Sequence, residues 1–430
     1  MIKVNAIKLF DKDLERGGVT LRRAYTEPEG LCLQEIMNVH REGDYLNGQK
    51  VRYSKDNGRT FSEWEDVPRK NYSEMFGEDE RTTEETNRVY NPVHRHYVGT
   101  LFTRYFLEGH KAAYRKFWQE AKQTFFDHQY IFTADTSSSE PHGYKLVKYE
   151  DGEDFSRENP RNMNFLLNNR GFLNAPIVLK NGDIAVPVGL QMDHACEMLG
   201  LDVKEIFPSI PYIARGVMLC RGKYNEKTKE YDFTFSKPCV ISDLKSSRGF
   251  DEPIAYELKT GRILLIMRGS NMQYAPWSTR IADDAISYKW YAYSDDGGKT
   301  FTEPSPWEFD NGEKVTSSAT ISAFIRSSKN GKLYWIGNVT DPKITKGNSP
   351  RFPLHICEVD EERTVLKRDT LTVIDTRREG ESENVQLSNF TLFEDRETGE
   401  FEISLIKIAQ EDGAPSYFAE TWKYLINVLD

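Results

Sequence analysis

The residues best suited to chemistry lie in one short stretch, Ser247–Arg268. Two adjacent carboxylates, Asp251 and Glu252, stand near its start, and Arg268 ends it sixteen residues after Glu252. Between them the sequence predicts two apolar strands joined by a Thr-Gly turn, a hairpin that brings Arg268 back beside the carboxylates. A carboxylate can move protons, and a guanidinium binds carboxylates through paired hydrogen bonds. We predict that Glu252 and Arg268 face a pocket. The structural alternatives are that the Glu252 carboxylate bridges strand N–H groups and that Arg268 is an ion-pair partner.

The histidines His94 and His96 form a second candidate pair. Alternate residues of a strand face the same side, so both rings would lie on one face, with Tyr97 on the other. Such a pair can bind a metal or act as acid and base. The structural alternative is a pair of histidines whose hydrogen bonds are satisfied near a loop. His94 is the stronger candidate, because we expect an inner strand of the repeat described below to begin there.

Two octapeptides of the same form predict two matching turns. They are Ser54–Phe61 (SKDNGRTF) and Ser294–Phe301 (SDDGGKTF), and each follows an alternating strand. The Asp at the third position can accept backbone N–H bonds inside the turn, and the Gly at the fifth takes backbone angles that other residues resist. We interpret both octapeptides as hairpin turns with a structural role.

A longer pattern of polar entry, strand, glycine turn and apolar strand recurs six times. Its copies start 69 to 83 residues apart, at Val19, Arg88, Gly171, Gly249, Ser318 and Leu387. Each copy is followed by a second strand pair, which makes six blades of about four strands. The pattern predicts an all-β fold, a six-bladed β-propeller, as a single domain over residues 1–430. Seven blades are the alternative, with the extra blade between residues 108 and 170.

The ends of the repeat and two helical segments complete the predicted fold. The last blade needs a partner for Thr421–Val428, and Met1–Phe10 would supply that strand and remove an open edge. Residues Glu108–Phe126 have a helical composition and predict a short helical insertion, and Asp193–Ile206 predicts another short helix. The insertion either packs as decoration or covers the pocket.

Polar residues mark the predicted starts of the inner strands. They include Arg22, Arg23, Asn91, His94, His96, Asn174, Asp251, Glu252, Ser318, Thr320, Gln386 and Ser388. Inner strands of a propeller lead toward one mouth of the axis, so these residues are expected to converge there. Because a packed plug would need apolar side chains, we predict a solvated polar pocket, with Asn174 and Asp251 among its ligand-binding residues.

Composition excludes several classes of protein. The chain has 430 residues, a formal charge of −10 and a sequence pI of about 5.5, which argues against a nucleic-acid or anionic-membrane partner. Its five cysteines are far apart without a CxxC pair, so neither a disulfide framework nor a zinc site is expected. The N-terminus has no signal-like apolar run, which favours a cytoplasmic protein, or a secreted one whose signal peptide has been removed.

The motifs resemble those of the sialidase (neuraminidase) superfamily of six-bladed propellers over most of the chain. The octapeptides are similar to its Asp-box, or BNR repeat. Residues 252–268 are similar to its motif Glu-Pro-x(3)-Glu-Leu-x-x-Gly-Arg-x-Leu-Leu-x-x-Arg. The resemblance implies that Glu252 polarises a nucleophile and that Arg268 binds a substrate carboxylate. It also implies Arg351 and either Arg22 or Arg23 as the other two carboxylate-binding arginines, and Asp44 as the acid/base.

One position departs from the family. Leu387 stands where the resemblance places the nucleophilic Tyr, and a leucine cannot attack an anomeric carbon. We therefore expect a carbohydrate-active enzyme without a cofactor that hydrolyses a terminal acidic sugar, of sialic or uronic acid type, by direct attack of water. The acid would be Asp44 or Glu252.

Two further hypotheses stay open. A polysaccharide lyase would use arginines to neutralise a uronate, with His94 or His96 and Tyr25 or Tyr97 as base and acid. A non-catalytic glycan-binding propeller would bind such sugars without turnover. In each case the expected partner is a small molecule or oligosaccharide that carries a carboxylate. The sequence does not determine the oligomeric state.

Overall fold

The chain is an all-β six-bladed β-propeller with a short helical insertion, as predicted. The structure, a computed structural model, describes residues 1–41, 47–67, 72–85, 88–120, 122–135, 141–172, 174–209, 214–273 and 279–429. Over these residues the strands form six small antiparallel sheets, so the seven-bladed alternative is wrong for the described part of the chain.

The strands and helices follow in chain order. The strands of the first three blades are β2 (Gly18–Tyr25), β3 (Leu33–His40), β4 (Gly48–Ser54), β5 (Glu65–Asp66), β6 (Tyr72–Phe76), β7 (Asp79–Glu85), β8 (Val89–Asn91), β9 (His96–Phe106), β10 (Phe125–Asp135), β11 (Pro141–Leu146), β12 (Ile177–Val178), β13 (Ile184–Gln191), β14 (Arg215–Asn225) and β15 (Glu230–Phe235), and β1 (Ile2–Phe10) precedes them. The remaining strands are β16 (Asp251–Glu257), β17 (Ile263–Arg268), β18 (Lys289–Ser294), β19 (Ser305–Pro306), β20 (Ala323–Arg326), β21 (Leu333–Asn338), β22 (Leu354–Asp360), β23 (Val365–Leu366), β24 (Thr372–Asp375), β25 (Phe390–Glu394), β26 (Phe401–Ile406) and β27 (Thr421–Val428). The helices are α1 (Gly109–Glu120), α2 (Met163–Leu166), α3 (Met192–Leu199) and α4 (Val203–Ile206), and a 3-10 turn spans Arg368–Thr370.

The chain forms two compact units. One consists of Met1–Pro68, Ile286–Tyr288 and Trp307–Asp430, and the other of Arg69–Ala285 and Lys289–Pro306. The first unit holds the sheets β2–β5, β20–β24 and β25–β27, and the second holds the sheets β6–β11, β12–β15 and β16–β19. The single-domain organisation expected for residues 1–430 stays a prediction.

The N-terminal strand belongs to the sheet that the C-terminal strand occupies. Strand β1 pairs antiparallel with β27, from Ile2 opposite Val428 to Phe10 opposite Thr421. The order β1-β27-β26-β25 completes four strands from the two ends of the chain, and so β27 is not an open edge.

The second blade carries an extra hairpin, formed by β6 and β7. Strand β7 pairs with the C-terminal half of β9, from Glu80 opposite Phe106 to Glu85 opposite Leu101, and β8 pairs with the N-terminal half of the same edge. Strands β7 and β8 therefore share one edge of β9 and run in the same direction.

Helix α1 is the predicted insertion, and it connects β9 to β10. It spans Gly109–Glu120, shorter than the expected 108–126, because Phe125 and Phe126 already belong to β10. Its buried residues Ala113 and Phe117 pack against Phe125 in an apolar cluster. No helix among the described residues is long and apolar enough to cross a membrane.

The two octapeptides form turns with the hydrogen bonds expected of them. Asp56 accepts the backbone N–H of Thr60 at 2.8 Å and its hydroxyl at 2.6 Å, and the Ser54 hydroxyl accepts the N–H of Gly58. These bonds, first those from Thr60, lower the pKa of Asp56 to about 2. Asp296 makes the matching bonds in the second turn. The assignment of both turns to the Asp-box of the family stays a prediction.

Candidate functional site

The hairpin of β16 and β17 brings Asp251, Glu252 and Arg268 together at one end of its sheet. Asp251 pairs with Arg268 in the strand register, but the register shifts between Asp251 and Ile254. In a regular strand two consecutive side chains point to opposite faces, and a bulge can re-aim one of them. Both carboxylates accordingly lie next to Arg268.

The backbone at Glu252 adopts an uncommon conformation. Its φ is +41°, in a region that residues with a Cβ rarely occupy. This places the carboxylate where Arg268 donates a hydrogen bond to Oε2 at 2.5 Å. The side chain of Glu252 is 25% exposed and that of Arg268 is 9% exposed, so solvent reaches the carboxylate more than the guanidinium. Strained residues of this kind are concentrated at functional sites.

Asp251 lies among three arginines, which we call the arginine cluster: Arg215, Arg248 and Arg268. Arg248 donates to Oδ2 of Asp251 at 3.1 Å, and Nε of Arg215 lies 3.7 Å from Oδ1. Burial alone would raise the pKa of Asp251, but Arg248, Arg268 and Arg215 outweigh that effect and the pKa lies below its ordinary value. Asp251 is therefore ionised at neutral pH.

A second carboxylate, Asp127, fixes Arg215 from the other side. Arg104 donates to both oxygens of Asp127, at 2.5 and 2.8 Å, and Arg215 donates to Oδ2 at 3.2 Å. Burial would raise the pKa of Asp127, but Arg104 and then Arg215 lower it below its ordinary value. Arg104 on β9, Asp127 on β10 and Arg215 on β14 thus continue the charged chain from Asp251 into two neighbouring sheets.

The charges in this series of paired side chains do not balance. Counted over the described residues, it contains four arginines and three carboxylates, those of Asp127, Asp251 and Glu252, and so has one positive charge in excess. None of these seven side chains is more than 25% exposed. A partly buried site with surplus guanidinium charge is suited to a ligand that carries a carboxylate.

Aromatic rings border the same chain of charges. The ring of Phe172 lies 4.9 Å from the guanidinium carbon of Arg215, and the ring of Trp118 lies 5.8 Å from that of Arg248. Tyr114 accepts a hydrogen bond from Arg104 at 2.5 Å. Two of the three rings come from α1, and so the helical insertion lies beside the charged residues.

The predicted site residue Asn174 belongs to the same unit. Its side-chain amide is partly buried and lies 3.5 Å from the carbonyl oxygen of Pro187, on the neighbouring strand β13. Asn174 follows Phe172 by two residues, so its backbone lies near one of the rings that contact the arginines. Its role as a ligand-binding residue stays a prediction.

The structure places His94 and His96 elsewhere. The prediction that His94 begins an inner strand is wrong, because His94 lies in the turn between β8, which ends at Asn91, and β9, which begins at His96. His96 begins β9, eight residues and about 26 Å of strand from Arg104. Both histidines are thus at the opposite end of the blade from Arg104 and Asp127.

The surroundings of the two histidines are those of a packed cluster. Nε2 of His96 lies 2.8 Å from the Tyr231 hydroxyl, and Nδ1 of His94 lies 3.1 Å from Oε1 of Glu226. Both rings also pack on Tyr224, with centroids 4.5 and 4.6 Å away. Burial, with a smaller contribution from the His94 charge, lowers the pKa of His96 to about 4. These contacts fit the structural alternative, in which the hydrogen bonds of both histidines are satisfied.

In the first unit, Arg22 and Arg23 lie within β2 and not at its start. Arg23 is an ion-pair residue: its Nε donates to Glu35 at 2.6 Å, and its Nη1 lies 3.0 Å from Glu402. Arg22 is partly buried on the same strand. These contacts give Arg23 a structural role, and the carboxylate-binding role of either residue stays a prediction.

Arg351 and the Leu387 position lie next to each other in the first unit. Nη1 of Arg351 donates to Gln386 at 2.9 Å and to the Ser388 hydroxyl at 3.4 Å. Leu387 itself is fully buried in an apolar cluster with Val385. Leu387 is therefore a core residue, and the polar side chains on either side of it contact Arg351.

Two other points of the sequence analysis concern Asp44 and a metal ion. Asp44 lies outside the described residues. Among the residues that are described, no group of three or more His, Cys, Asp and Glu side chains could hold a metal ion.

Sequence reasoning missed Arg215, Arg248, Arg104 and Asp127. Arg248 stands three residues before Asp251, within the stretch Ser247–Arg268, so its spacing is a usable signal. Arg215 begins β14, the third strand of its sheet, whereas the sequence pattern indicates residues at the start of the first strand of each blade. Arg104 and Asp127 meet because they pair across β9 and β10, which their separation along the chain does not indicate.

Comparisons with known proteins support the fold. No family model and no curated protein matches the chain. Among solved structures, a protein of unknown function from Dyadobacter fermentans is 14% identical, with a TM-score of 0.57 and 99% of each chain covered. The NanB sialidase from Streptococcus pneumoniae is 11% identical, with a TM-score of 0.54, 97% of this chain and 70% of that chain covered. At these identities the chain shares the fold of a sialidase-type propeller.

Proposed function

We propose that the protein is a glycan-active hydrolase that cleaves a terminal acidic sugar, of sialic or uronic acid type. The observation that carries the proposal is the arginine cluster, with its surplus positive charge, beside the strained carboxylate of Glu252. The fold shared with the NanB sialidase supports a glycan substrate.

The arginines account for the acidic part of the substrate. Arg215, Arg248 and Arg268 already share Asp251, and a ligand carboxylate would balance the remaining positive charge. Guanidinium groups bind carboxylates with two parallel hydrogen bonds, which also fixes the orientation of the sugar ring. Asp251 and Asp127 hold the guanidinium planes in place before the substrate arrives, so less ordering is needed on binding.

Glu252 accounts for the chemistry. As a carboxylate beside the sugar it would activate a water molecule or stabilise the positive charge that develops at the anomeric carbon. Leu387 cannot supply a covalent nucleophile, so we propose direct attack of water with inversion. The acid that protonates the leaving group, Asp44 or Glu252 by the sequence, stays a prediction.

The principal test removes one guanidinium. Arg268→Ala should weaken binding of sialic and uronic acid glycosides by about 2–4 kcal/mol, roughly 30- to 1,000-fold, because it loses a charge-assisted pair. Binding would be measured by calorimetric titration against the neutral glycosides of the same linkage.

A matched control comes from the same hairpin. Arg262 lies just before β17, at the turn end of the hairpin and away from the cluster. It donates to Asp295 at 2.8 and 2.9 Å. Arg262→Ala should leave affinity for acidic sugars unchanged. If Arg268→Ala keeps the preference of the unaltered protein for acidic over neutral sugars, the carboxylate-binding role is wrong.

Turnover separates hydrolysis from the other two hypotheses. Glu252→Gln keeps the size of the side chain and should abolish release of reducing sugar from a substrate that the unaltered protein cleaves. An absorbance rise from an unsaturated uronate product would instead indicate a lyase, although His94 and His96 lie far from the arginine cluster. Binding of acidic glycans without any product would indicate a non-catalytic propeller.

A further inference from the structure

His194 is a partly buried histidine outside the arginine cluster, and the proposed chemistry has no use for it. It stands in the first turn of α3, and its side chain is 13% exposed. Nε2 of its ring lies 3.1 Å from Nη2 of Arg170, and Nδ1 lies 3.2 Å from the hydroxyl of Tyr149. These two contacts connect α3 to the part of the chain that runs from β11 to β12.

The partners of His194 determine which of its nitrogens carries a proton. A guanidinium can only donate hydrogen bonds, so Nε2 of His194 accepts from Arg170 and carries no proton. The Tyr149 hydroxyl donates to the carbonyl oxygen of Arg170 at 2.8 Å, which leaves its oxygen to accept from Nδ1–H of His194. His194 is therefore neutral in this structure, with its proton on Nδ1.

The guanidinium of Arg170 depends on this neutral ring. Arg170 is 4% exposed, and its Nε and Nη1 have no hydrogen-bond partner among the described residues. The Asp193 carboxylate lies 3.7 Å from Nη2, beyond hydrogen-bond distance. Burial lowers the pKa of Arg170 below its ordinary value, which shows how few groups compensate its charge. Within the described part of the chain, Nε2 of His194 is the acceptor that this buried guanidinium has.

The groups that face His194 would act differently on a protonated ring. Oε1 of Glu150 lies 3.8 Å from Nδ1, and Asp193 accepts the backbone N–H of His194 at 2.9 Å, so both carboxylates would attract it. Arg170 and the N-terminal end of the α3 dipole would repel it. Tyr149 stays neutral, because burial raises its pKa well above the ordinary value. Protonation also turns Nε2 into a donor, which leaves two donors and two positive charges facing each other at 3.1 Å.

We propose that His194 is a pH-sensitive switch between α3 and residues 169–172. The neutral ring binds Arg170, whereas the protonated ring turns toward Glu150 and Asp193 and releases the guanidinium. Histidine side chains as a class change charge between about pH 5 and 8, so mild acid is sufficient to operate such a contact.

The switch is connected to the arginine cluster through the backbone that follows Arg170. The N–H of Gly171 donates to the carbonyl oxygen of Asp127 at 2.9 Å, and the ring of Phe172 lies 4.9 Å from the guanidinium carbon of Arg215. Release of Arg170 would therefore loosen one border of the cluster. The switch itself does not depend on the proposed function, and only its consequence for glycan affinity does.

Hydrogen–deuterium exchange of the protein without a ligand tests the switch. The backbone N–H groups of Asn169, Gly171 and Phe172 are all hydrogen-bonded, so their protection reports how firmly this segment is held. Their protection, corrected for the intrinsic effect of pH on exchange, should fall about tenfold between about pH 7.5 and 5.5. His194→Gln should abolish the fall, because its amide oxygen can accept from Arg170 at every pH.

His94→Gln is the matched control. His94 is also a partly buried histidine beside a carboxylate, with Nδ1 3.1 Å from Glu226 and a side chain that is 17% exposed. This variant should keep the pH dependence of the unaltered protein. Burial lowers the pKa of His96, His128 and His355 to about 4, so these three stay neutral in the range tested.

A second variant covers the case in which His194→Gln does not fold, as melting temperatures would show. In Arg170→Gln the amide can donate to the neutral ring or accept from the protonated one, so the fall in protection should again disappear. Equal protection at both pH values in the unaltered protein, or an undiminished fall in the folded variants, would overturn the switch. Neither result bears on the proposed function, because no glycan is present. A failure to bind acidic glycans would contradict the proposed function and leave the switch unaffected.

Discussion

Two buried ion networks, one in each unit, resemble each other in composition and differ in what they can do. The arginine cluster lies in the second unit. The first unit contains the Lys407 network, made of Lys407, Asp375, Glu381 and Gln410. Nζ of Lys407 donates to Glu381 at 2.8 and 3.1 Å and lies 3.2 Å from Asp375. The amide of Gln410 donates to Glu381 at 2.9 Å.

The Lys407 network is closed, whereas the arginine cluster is open. Lys407 is completely buried, and the Tyr424 hydroxyl and Arg378 also contact Asp375, so two cations face two carboxylates. No residue of this network has a left-handed backbone. The arginine cluster has surplus charge, partial exposure and the strained Glu252. A buried ion network is therefore a sign of a site only when its charge is unbalanced and a ligand can reach it.

The largest expected effect comes from breaking the closed network. Lys407→Met should lower the free energy of unfolding by about 3–5 kcal/mol, because Glu381 remains buried without its cation and Asp375 keeps only Arg378, at 3.7 Å. Urea denaturation measures this loss. Lys332→Met is the control: Lys332 is 42% exposed and Glu358 keeps its pair with Lys367, so the loss should stay below about 1 kcal/mol. A loss of that small size in Lys407→Met would mean that the network does not stabilise the first unit.

As the pH falls, the fold should lose stability before the carboxylates beside the arginine cluster become protonated. Burial lowers the pKa of His96, His128 and His355 to about 4. Between pH 6.5 and 4 the unfolded chain binds protons that the folded chain does not, so stability falls as the pH falls through this window, by about 1–3 kcal/mol per histidine. The pKa values of Asp127 and Asp251 lie below the ordinary value, so the stabilisation they give is lost only below about pH 4.

Urea titrations at pH 7, 5 and 4 measure the effect of acid. His128→Gln removes one of the three titrating groups while keeping a donor toward the carbonyls of Phe165 and Asn168, so its stability should depend less on pH. A stability that is equal at pH 7 and pH 4 would contradict the assignment of these histidines as neutral in the fold.

The two octapeptide turns, one in each unit, should have the smallest effect on stability. Asp56→Ala and Asp296→Ala each remove the acceptor of several hydrogen bonds at an exposed turn. Each should lower the melting temperature by about 2 °C, without changing affinity for acidic glycans. A loss of binding in Asp296→Ala would show that the turn of the second unit supports the site.

Local sequence was enough to predict the β16–β17 hairpin and the meeting of Glu252 with Arg268. A turn with a glycine between two apolar runs sets the register, and the register places both ends side by side. The same holds for the two octapeptide turns, whose hydrogen bonds lie within seven residues of chain. Patterns of this kind depend on neighbours along the chain, which a single sequence displays.

The rest of the site depends on which sheets lie side by side. Asp127 and Arg215 are 88 residues apart and meet across two sheets, and no periodicity in the sequence indicates that pairing. The hairpin of β6 and β7 was likewise not predicted, and the strand that pairs with the first half of β9 is β8, which ends before His94. The family comparison could not correct this, because it carries over motifs and not insertions.

The left-handed backbone at Glu252 also bears on how this protein would respond to selection. Glycine adopts such a conformation without the penalty that a side chain incurs, about 1 kcal/mol or more. Glu252→Gly would therefore relieve the backbone while removing the carboxylate. A laboratory evolution experiment that rewards only thermal resistance would tend to discard Glu252, whereas one that also rewards turnover would retain it. Under the proposed function, stability and activity place opposite demands on position 252.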